Sequence, residues 1–388
     1  MRFRYWILCA MVTACQAVEK TKVFPSDETV YIEVTKNKDT LTVCNYEKLA
    51  AETETLPLSN FVDTCFMVKL ETRENTLMKS GKVMISNHFI GIIPYSQPRQ
   101  PFKLYSRSGK YLRDIGSTGR GPGEYLNIHD AFLDEDRNCI YLVPWQGKEL
   151  LRYTFDGERK EALKLDFDLC KSRLNVNHDT LSFFHLPLSP KAPLYNRFTL
   201  KGKVLDNLYA GRLALPPDFS HEVFSGNNTS QADFQLSVFG PNDNDTLYHI
   251  KNGQPVPVFT TNFQKTPTHN YRETRHHYIV EVLGTKKGLR KTWTTYIKDL
   301  ILVDKQKLIA KKIKIAIDFY GGLPVSIGSN CSKGYFIQLV SATDLKIQLR
   351  KRLGDKNNMP SYRRDLLVNL DQNLREDDNH IVFFGKLK

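Results

Sequence analysis

Short runs in which apolar and polar residues alternate fill most of this chain. From about Phe61 onward they are rich in Val, Ile, Tyr, Phe and Leu, are separated by Gly, Asn and Asp, and leave few windows with a helical period. Segments 102–112, 151–159, 197–205 and 247–256 share one pattern: an alternating strand, a turn ending in Gly, and a second alternating strand. Gly supplies the positive φ of a tight turn without steric cost. The turn glycines Gly109, Gly157, Gly202 and Gly253 lie 48, 45 and 51 residues apart, close to the ~40–50 residues of one four-stranded propeller blade. A fifth turn falls on schedule at Asp304, Lys305 and Gln306, without its Gly. At this period the roughly 320 residues from Phe61 onward give six or seven blades, and the expected fold is an all-β, six-bladed β-propeller over residues 58–388. After a turn at Asp377, Asp378 and Asn379, a last strand over 380–387 is expected to pair with 66–70 or its neighbour and close the ring.

The first residues follow a different pattern. Arg2 and Arg4 precede an apolar run from Tyr5 through Thr13, about half the ~20 residues needed to span a bilayer, so residues 1–14 read as a signal peptide and not as a membrane anchor. Val12, Thr13, Ala14 and Cys15 stand in the order of a bacterial lipobox, which makes Cys15 the acylated first residue of the mature protein; the alternative is an ordinary leader with an accidental Cys. Two or three acyl chains anchor stably, because each buried methylene contributes roughly 0.8 kcal/mol. Residues 15–57 are charged and threonine-rich, with one β-like stretch at 29–34, and read as a membrane tether with a lead-in strand.

The formal charge is +13, and +11 once Arg2 and Arg4 leave with the leader. Export excludes nucleic acid as the partner of this basic surface. An anionic polysaccharide, lipid head groups or an acidic protein would suit it, and so would a simple role in solubility. Besides Cys9 and Cys15 there are Cys44, Cys65, Cys139, Cys170 and Cys331. An odd number forbids complete pairing, and the wide spacing argues against a zinc knuckle or a dense disulfide framework. Most read as buried small hydrophobes, with Cys44 and Cys65 as one pair that an oxidising compartment could bridge.

Several segments resemble a known family, the six-bladed, NHL-like β-propeller lipoproteins of polysaccharide-degrading Gram-negative anaerobes. Leu58 to Asp63 leading to Val68 to Thr72 looks like the family's opening segment, and 134–142 resembles an inner-strand pattern. The most specific match is the glycine-rich stretch 115–125, with Gly116, Gly119, Gly121, Pro122, Gly123 and Tyr125. Segment 375–383 resembles the C-terminal signature, with His380 where the family often has Pro. The resemblance implies the fold and an envelope location, the outer membrane in particular; the family has no settled activity.

The glycine-rich stretch lacks the Gly-Lys-Ser/Thr of a phosphate loop and is not followed by an amphipathic helix, so it is expected to carry the chain between blades, with Pro122 stiffening the turn and Tyr125 packing between them. Asp130, Asp134, Glu135 and Asp136 are expected near the channel at the start of the second blade. Paired acids could hydrolyse glycosides there only if about 5 to 9 Å apart, and solvated turn acids are the plainer reading. The densest basic and aromatic cluster, 270–278, offers Tyr271, Arg272, Arg275 and His277 as ligand-binding candidates, stacking on sugar rings and forking carboxylates. An ordinary strand start is the alternative, because adjacent His276 and His277 would point to opposite faces and could not ligate one metal. No nucleophile elbow, His-Glu-x-x-His or calcium loop occurs, so no catalytic residue, metal or cofactor is expected. The readings that follow are a monomeric, non-catalytic envelope lipoprotein binding a glycan, peptide or protein partner, possible support of polysaccharide utilisation included; a carbohydrate-active hydrolase or lyase at the channel mouth; and a scaffold of an outer-membrane complex.

Overall fold

The computed structural model describes residues 28–34, 38–121, 124–237, 245–287, 293–325, 330–355 and 360–388. The leader, Cys15, Pro122 and Gly123 lie outside them.

Six sheets, each built on four antiparallel strands, are arranged radially as the blades of a propeller. Blade 1 spans 81–115, blade 2 spans 128–164 and blade 3 spans 173–209, each of four sequential strands. Blade 4 (222–262) and blade 5 (269–317) have the same plan. Blade 6 combines strands Asn330–Ser332, Tyr335–Val340 and Ile381–Lys386 with Phe66–Lys69 from near the beginning of the chain. Ile381 faces Lys69 and Phe384 faces Phe66 in antiparallel register, the closure expected from the last strand. Six clusters of buried apolar side chains hold the ring together, one for each pair of neighbouring blades. Each blade therefore buries both faces against its neighbours, so its core is shared and not internal.

The turn glycines fall at one structural place. Gly109, Gly157, Gly202 and Gly253 each join the third and fourth strands of blades 1 to 4, all at positive φ. In blade 5 the Asp304 carboxylate accepts from Gln306 N and Lys307 N, and Leu308 takes the positive φ that Gly supplies elsewhere.

The segment ahead of the ring carries more strands than the one stretch expected. Val30–Val34 and Thr40–Asn45 extend blade 4, the second pairing in parallel with Gln254–Asn262. Thr53–Pro57 pairs in parallel with Ile309–Ile317 of blade 5. These additions cover the outer edges of two blades, the edges that would otherwise offer unpaired backbone groups.

A second departure is helical. Between strands Tyr335–Val340 and Ile381–Lys386 the chain forms α1 (Ala342–Gly354) and α2 (Ser361–Asn373). Ser341 caps α1, its Oγ accepting from Asp344 N. Leu345, Leu349 and Leu367 pack the pair onto the cluster between blades 5 and 6. This hairpin consumes the length that left six and seven blades both open, which fixes the count at six.

The suggested Cys44–Cys65 bridge is absent. All five described cysteines are free thiols; Cys44 packs between blades 4 and 5 and Cys65 between blades 5 and 6. Burial pushes both thiols up to about 12, the behaviour of small core side chains rather than of reactive ones.

Candidate anion site in the central channel

The innermost strand of every blade runs along the propeller axis, so residues from each meet there although they are far apart in sequence. They enclose a central cavity of about 1240 Å³. Ser341, Asp344, Ile347 and Gln348, at the start of α1, line one mouth, while turn residues such as Asn87, Arg137 and His178 line the other.

Midway along the channel the chemistry concentrates. Asp130 of blade 2 is almost fully buried and accepts from Lys82 Nζ of blade 1 at 2.7 Å and from Leu174 N of blade 3 at 2.9 Å. Lys333, in the first turn of blade 6, donates to Ala131 O at 2.9 Å, and its ammonium lies 4.8 Å from the centre of the Phe132 ring. Because blades 2 and 6 are not neighbours, the Lys333 side chain crosses the channel. Arg173 of blade 3 donates to Val223 O at 2.9 Å and pairs with Glu222 of blade 4 at 3.2 Å. Lys171 reaches the other Glu222 oxygen at 2.6 Å and also donates to Phe219 O and His221 O. Four cations thus share two carboxylates.

Their proton affinities record the crowding. Burial pushes the Lys82 ammonium down to about 7, with Arg173 and Lys333 adding repulsion that Asp130 only partly offsets. Lys333 is lowered for the same reasons, burial first. Burial alone would raise Asp130, but Lys333, Lys82 and Arg173 together hold its carboxyl well below the usual range. His129, beside the same group, is held neutral by burial and then by Arg173 and Lys82. Ser225, also in the cavity wall, keeps its hydroxyl buried without a hydrogen-bond partner. Such an arrangement suits a negatively charged group, because an added anion would relieve both the repulsion and the desolvation of the ammonium groups.

The cluster at 270–278 is not gathered into one site. Tyr271 is a buried tie between blades, its hydroxyl accepting from Thr261 N at 3.0 Å and its ring edge-on to Phe259. Arg272 lines the channel but pairs with Glu281 at 3.2 Å. Arg275 is exposed on the following turn, and His277 packs against Phe61 at the outer side of that turn, with burial lowering its pKa. Strand alternation separates Tyr271 from Arg272, and the turn after Glu273 separates both from Arg275 and His277.

The acids expected at the start of blade 2 divide by position. Asp130 sits in the channel as described. Asp134 pairs with Arg137 at 3.2 Å, Glu135 accepts from His88 N at 2.8 Å and lies 2.5 Å from His88 Nδ1, and Asp136 is exposed. The glycine-rich stretch does join blade 1 to blade 2. Tyr125 donates to Ile115 O at 2.5 Å and accepts from Phe102 N at 2.8 Å, within the cluster shared by those blades. Glu124 folds back so that its carboxylate accepts from Gly121 N at 2.7 Å; a Cβ on Gly119 would overlap that carboxylate, and one on Gly116 would press on Tyr125 and Tyr153.

Lys82, Lys171, Arg173 and Lys333 were not marked by any motif. Among the described residues, no helix is long and apolar enough to cross a membrane.

The profile of one protein family, described as Domain of unknown function (DUF4934), matches residues 41–386. No curated protein matches. Among solved structures, the chain is similar to a Bacteroides fragilis protein described as exported, with a TM-score of 0.56 at 16% identity, covering 87% of this chain and 99% of that one. It is similar also to a DUF4221 family member from Bacteroides vulgatus (TM-score 0.44, 9% identity, 84% and 97% covered). A third likeness is to the extracellular domain of a one-component system from B. thetaiotaomicron (TM-score 0.41, 12% identity), where 63% of this chain covers 29% of that one. At these identities the first likeness speaks for the fold alone.

Proposed function

The chain belongs to the DUF4934 family, whose description assigns no activity, and from its own geometry we propose that it is a non-catalytic, lipid-anchored envelope protein that binds a glycan, peptide or protein partner through its central channel. The observation that carries this reading is the roomy cavity whose wall brings Lys82, Arg173 and Lys333 around the buried Asp130 carboxylate. Export is supported by the charged and apolar leader and by the exported description of the B. fragilis protein of like fold. Anchoring at Cys15 to the outer membrane rests on the lipobox and on the likeness to NHL-like lipoproteins.

Binding is favoured over glycoside hydrolysis because the three less exposed acids of blade 2 that line the channel are already committed. Asp130, Asp134 and Glu135 each hold a cation, an imidazole or a backbone amide, and a hydrolase needs one carboxyl kept protonated and a second kept free. The test expresses the full chain in a Gram-negative host with labelled palmitate and screens the purified mature protein against glycan arrays and envelope extracts. Label on the wild type but not on Cys15→Ser, and a ligand retained unaltered, are expected. Release of shortened sugars from a polysaccharide would replace this reading with the hydrolase, and the absence of any retained ligand would leave the scaffold.

A further inference from the structure

Resting on that reading and narrowing it, we infer that the middle of the channel is an oxyanion site, in which Lys82, Arg173 and Lys333 receive a carboxylate or sulfate group beside Asp130. The three cations come from blades 1, 3 and 6 and converge on one buried carboxylate, so the site exists only in the closed ring. Lys171 is not part of it: its ammonium is saturated by Glu222, two backbone carbonyls and the face of Trp145. Lys82, by contrast, spends one hydrogen bond on Asp130, and an ammonium has three donors to offer.

The shape of the channel sets how the group arrives. On the face away from α1, the loop after strand Glu222–Phe224 reaches past blade 5 to blade 6. Asn228 Nδ2 donates to Glu273 O and Cys331 O, its Oδ1 accepts from Gly334 N, and Lys333 N donates to Gly226 O. With the Lys333 side chain also lying across the axis, a ligand entering from the α1 mouth meets the cations end-on. That geometry suits a terminal acidic group on a sugar or a free oxyanion rather than a polymer threaded through the ring.

Protonation follows from the same contacts. Lys82 is faced by Asp130 and His129 of blade 2, Arg173 of blade 3 and Lys333 of blade 6, with Glu222 of blade 4 behind Arg173 and Tyr95 of its own blade near Asp130 and Arg173. His129 is neutral, so the ammonium answers mainly to two cations and one carboxylate. An arriving anion restores the charge on Lys82, and binding takes up a proton above about pH 7.

The test uses the mature protein and isothermal calorimetry with sodium sulfate, galacturonate and a galacturonate oligomer, whose charges do not change between pH 6 and 9, with galactose as the neutral control. Expected is saturable binding of at least one anion at pH 6.5, weakening by up to about tenfold per pH unit above 7, the limit for one linked proton. Lys82→Met weakens it at least tenfold, Lys82→Arg binds but loses the pH dependence, and the exposed Lys203→Met binds like wild type; thermal melts confirm that each variant is folded. Preference for the galacturonates over sulfate assigns a sugar-borne acid, and the reverse order a free ion. Binding of no anion, or binding indifferent to Lys82→Met, overturns the site. If a glycan or protein is then still captured equally by wild type and Lys82→Met, the broader binding reading stands without it; if nothing is captured, both fall.

Discussion

Asn379 carries the closure of the ring, and replacing it isolates how much that closure is worth. The residue is buried at 1% exposure. Its Nδ2 donates to Glu71 O and Thr76 O, each at 3.1 Å, and its Oδ1 accepts from His380 N at 2.8 Å. It thereby ties the start of the last strand to the loop that follows Phe66–Lys69, the outermost strand of the same blade. Asn379→Ala leaves two carbonyls and one amide without these partners. At about 1 kcal/mol each, the loss is about 3 kcal/mol. A propeller of roughly 330 residues unfolds with an entropy near 0.7 kcal/mol/K, so the melting temperature should fall by about 4 °C. Scanning calorimetry reads this against Asn373→Ala, an exposed position in α2, which should change by less than about 1 °C. Hydrogen exchange should show Ile381–Lys386 and Phe66–Lys69 opening ahead of the other blades. A fall no larger than the control's, or loosening spread evenly over all six blades, would refute the argument that Asn379 holds the closing strand.

Three other outcomes follow from single residues. Tyr125→Phe removes one buried donor and one acceptor between blades 1 and 2, so a loss of about 1–3 kcal/mol is expected in urea unfolding, with no change in the folded protein's far-ultraviolet dichroism. Gly109→Ala and Gly253→Ala break the same turn, yet a Cβ at Gly109 meets the Lys69 backbone carbonyl and one at Gly253 meets nothing; the second should cost about 1 kcal/mol and the first distinctly more, as melting temperatures will show. Lys82 is near 7 in the folded protein and 10.5 as a free side chain, so between those values the unfolded chain binds the extra proton and stability rises with pH. Below about 7 the cost of the buried charge is constant. Wild type minus Lys82→Met, measured by denaturation from pH 6 to 10, should therefore slope upward by up to about 1.4 kcal/mol per pH unit, and a flat difference would contradict the burial of a charged Lys82.

The blades were legible because their turns are local. Gly109, Gly157, Gly202 and Gly253 need positive φ within four residues of sequence, and no distant contact is required to see it. Where the turn is solved differently, by Asp304 and Leu308, only the interval pointed to it. The closing strand was legible for a further reason: a ring needs its last strand to find its first, and 380–387 and 66–70 were the segments at the right ends. The strands ahead of the ring were not, since Thr40–Asn45 and Thr53–Pro57 are short, polar on one face, and paired to blades more than two hundred residues away. The helical hairpin did leave a local trace, Ser341 three residues before Asp344 and then Leu345 and Leu349 on one face. A reading that expected strands at every interval passed over it.

The channel cluster was hidden for the opposite reason. Lys82, Arg173 and Lys333 are separated by most of the chain, and nothing around any one of them distinguishes it from the many lysines and arginines that keep strand faces soluble. Alternation says only that Lys82 and Arg173 each belong to one face of a strand, and of Lys333, in a turn, it says nothing. The ring converts that weak statement into chemistry, because six inner strands converge on one axis and their charges can no longer keep apart. The segment at 270–278 shows the converse. Its residues are close in sequence, yet the pleat sends Tyr271 to a blade interface and Arg272 to the channel, and the end of the strand leaves Arg275 on an exposed turn. In a propeller, then, density of basic and aromatic residues along the chain is poor evidence for a site, whereas single charges recurring at inner-strand positions one blade apart are better, and the oxyanion measurement at Lys82 tests that rule directly.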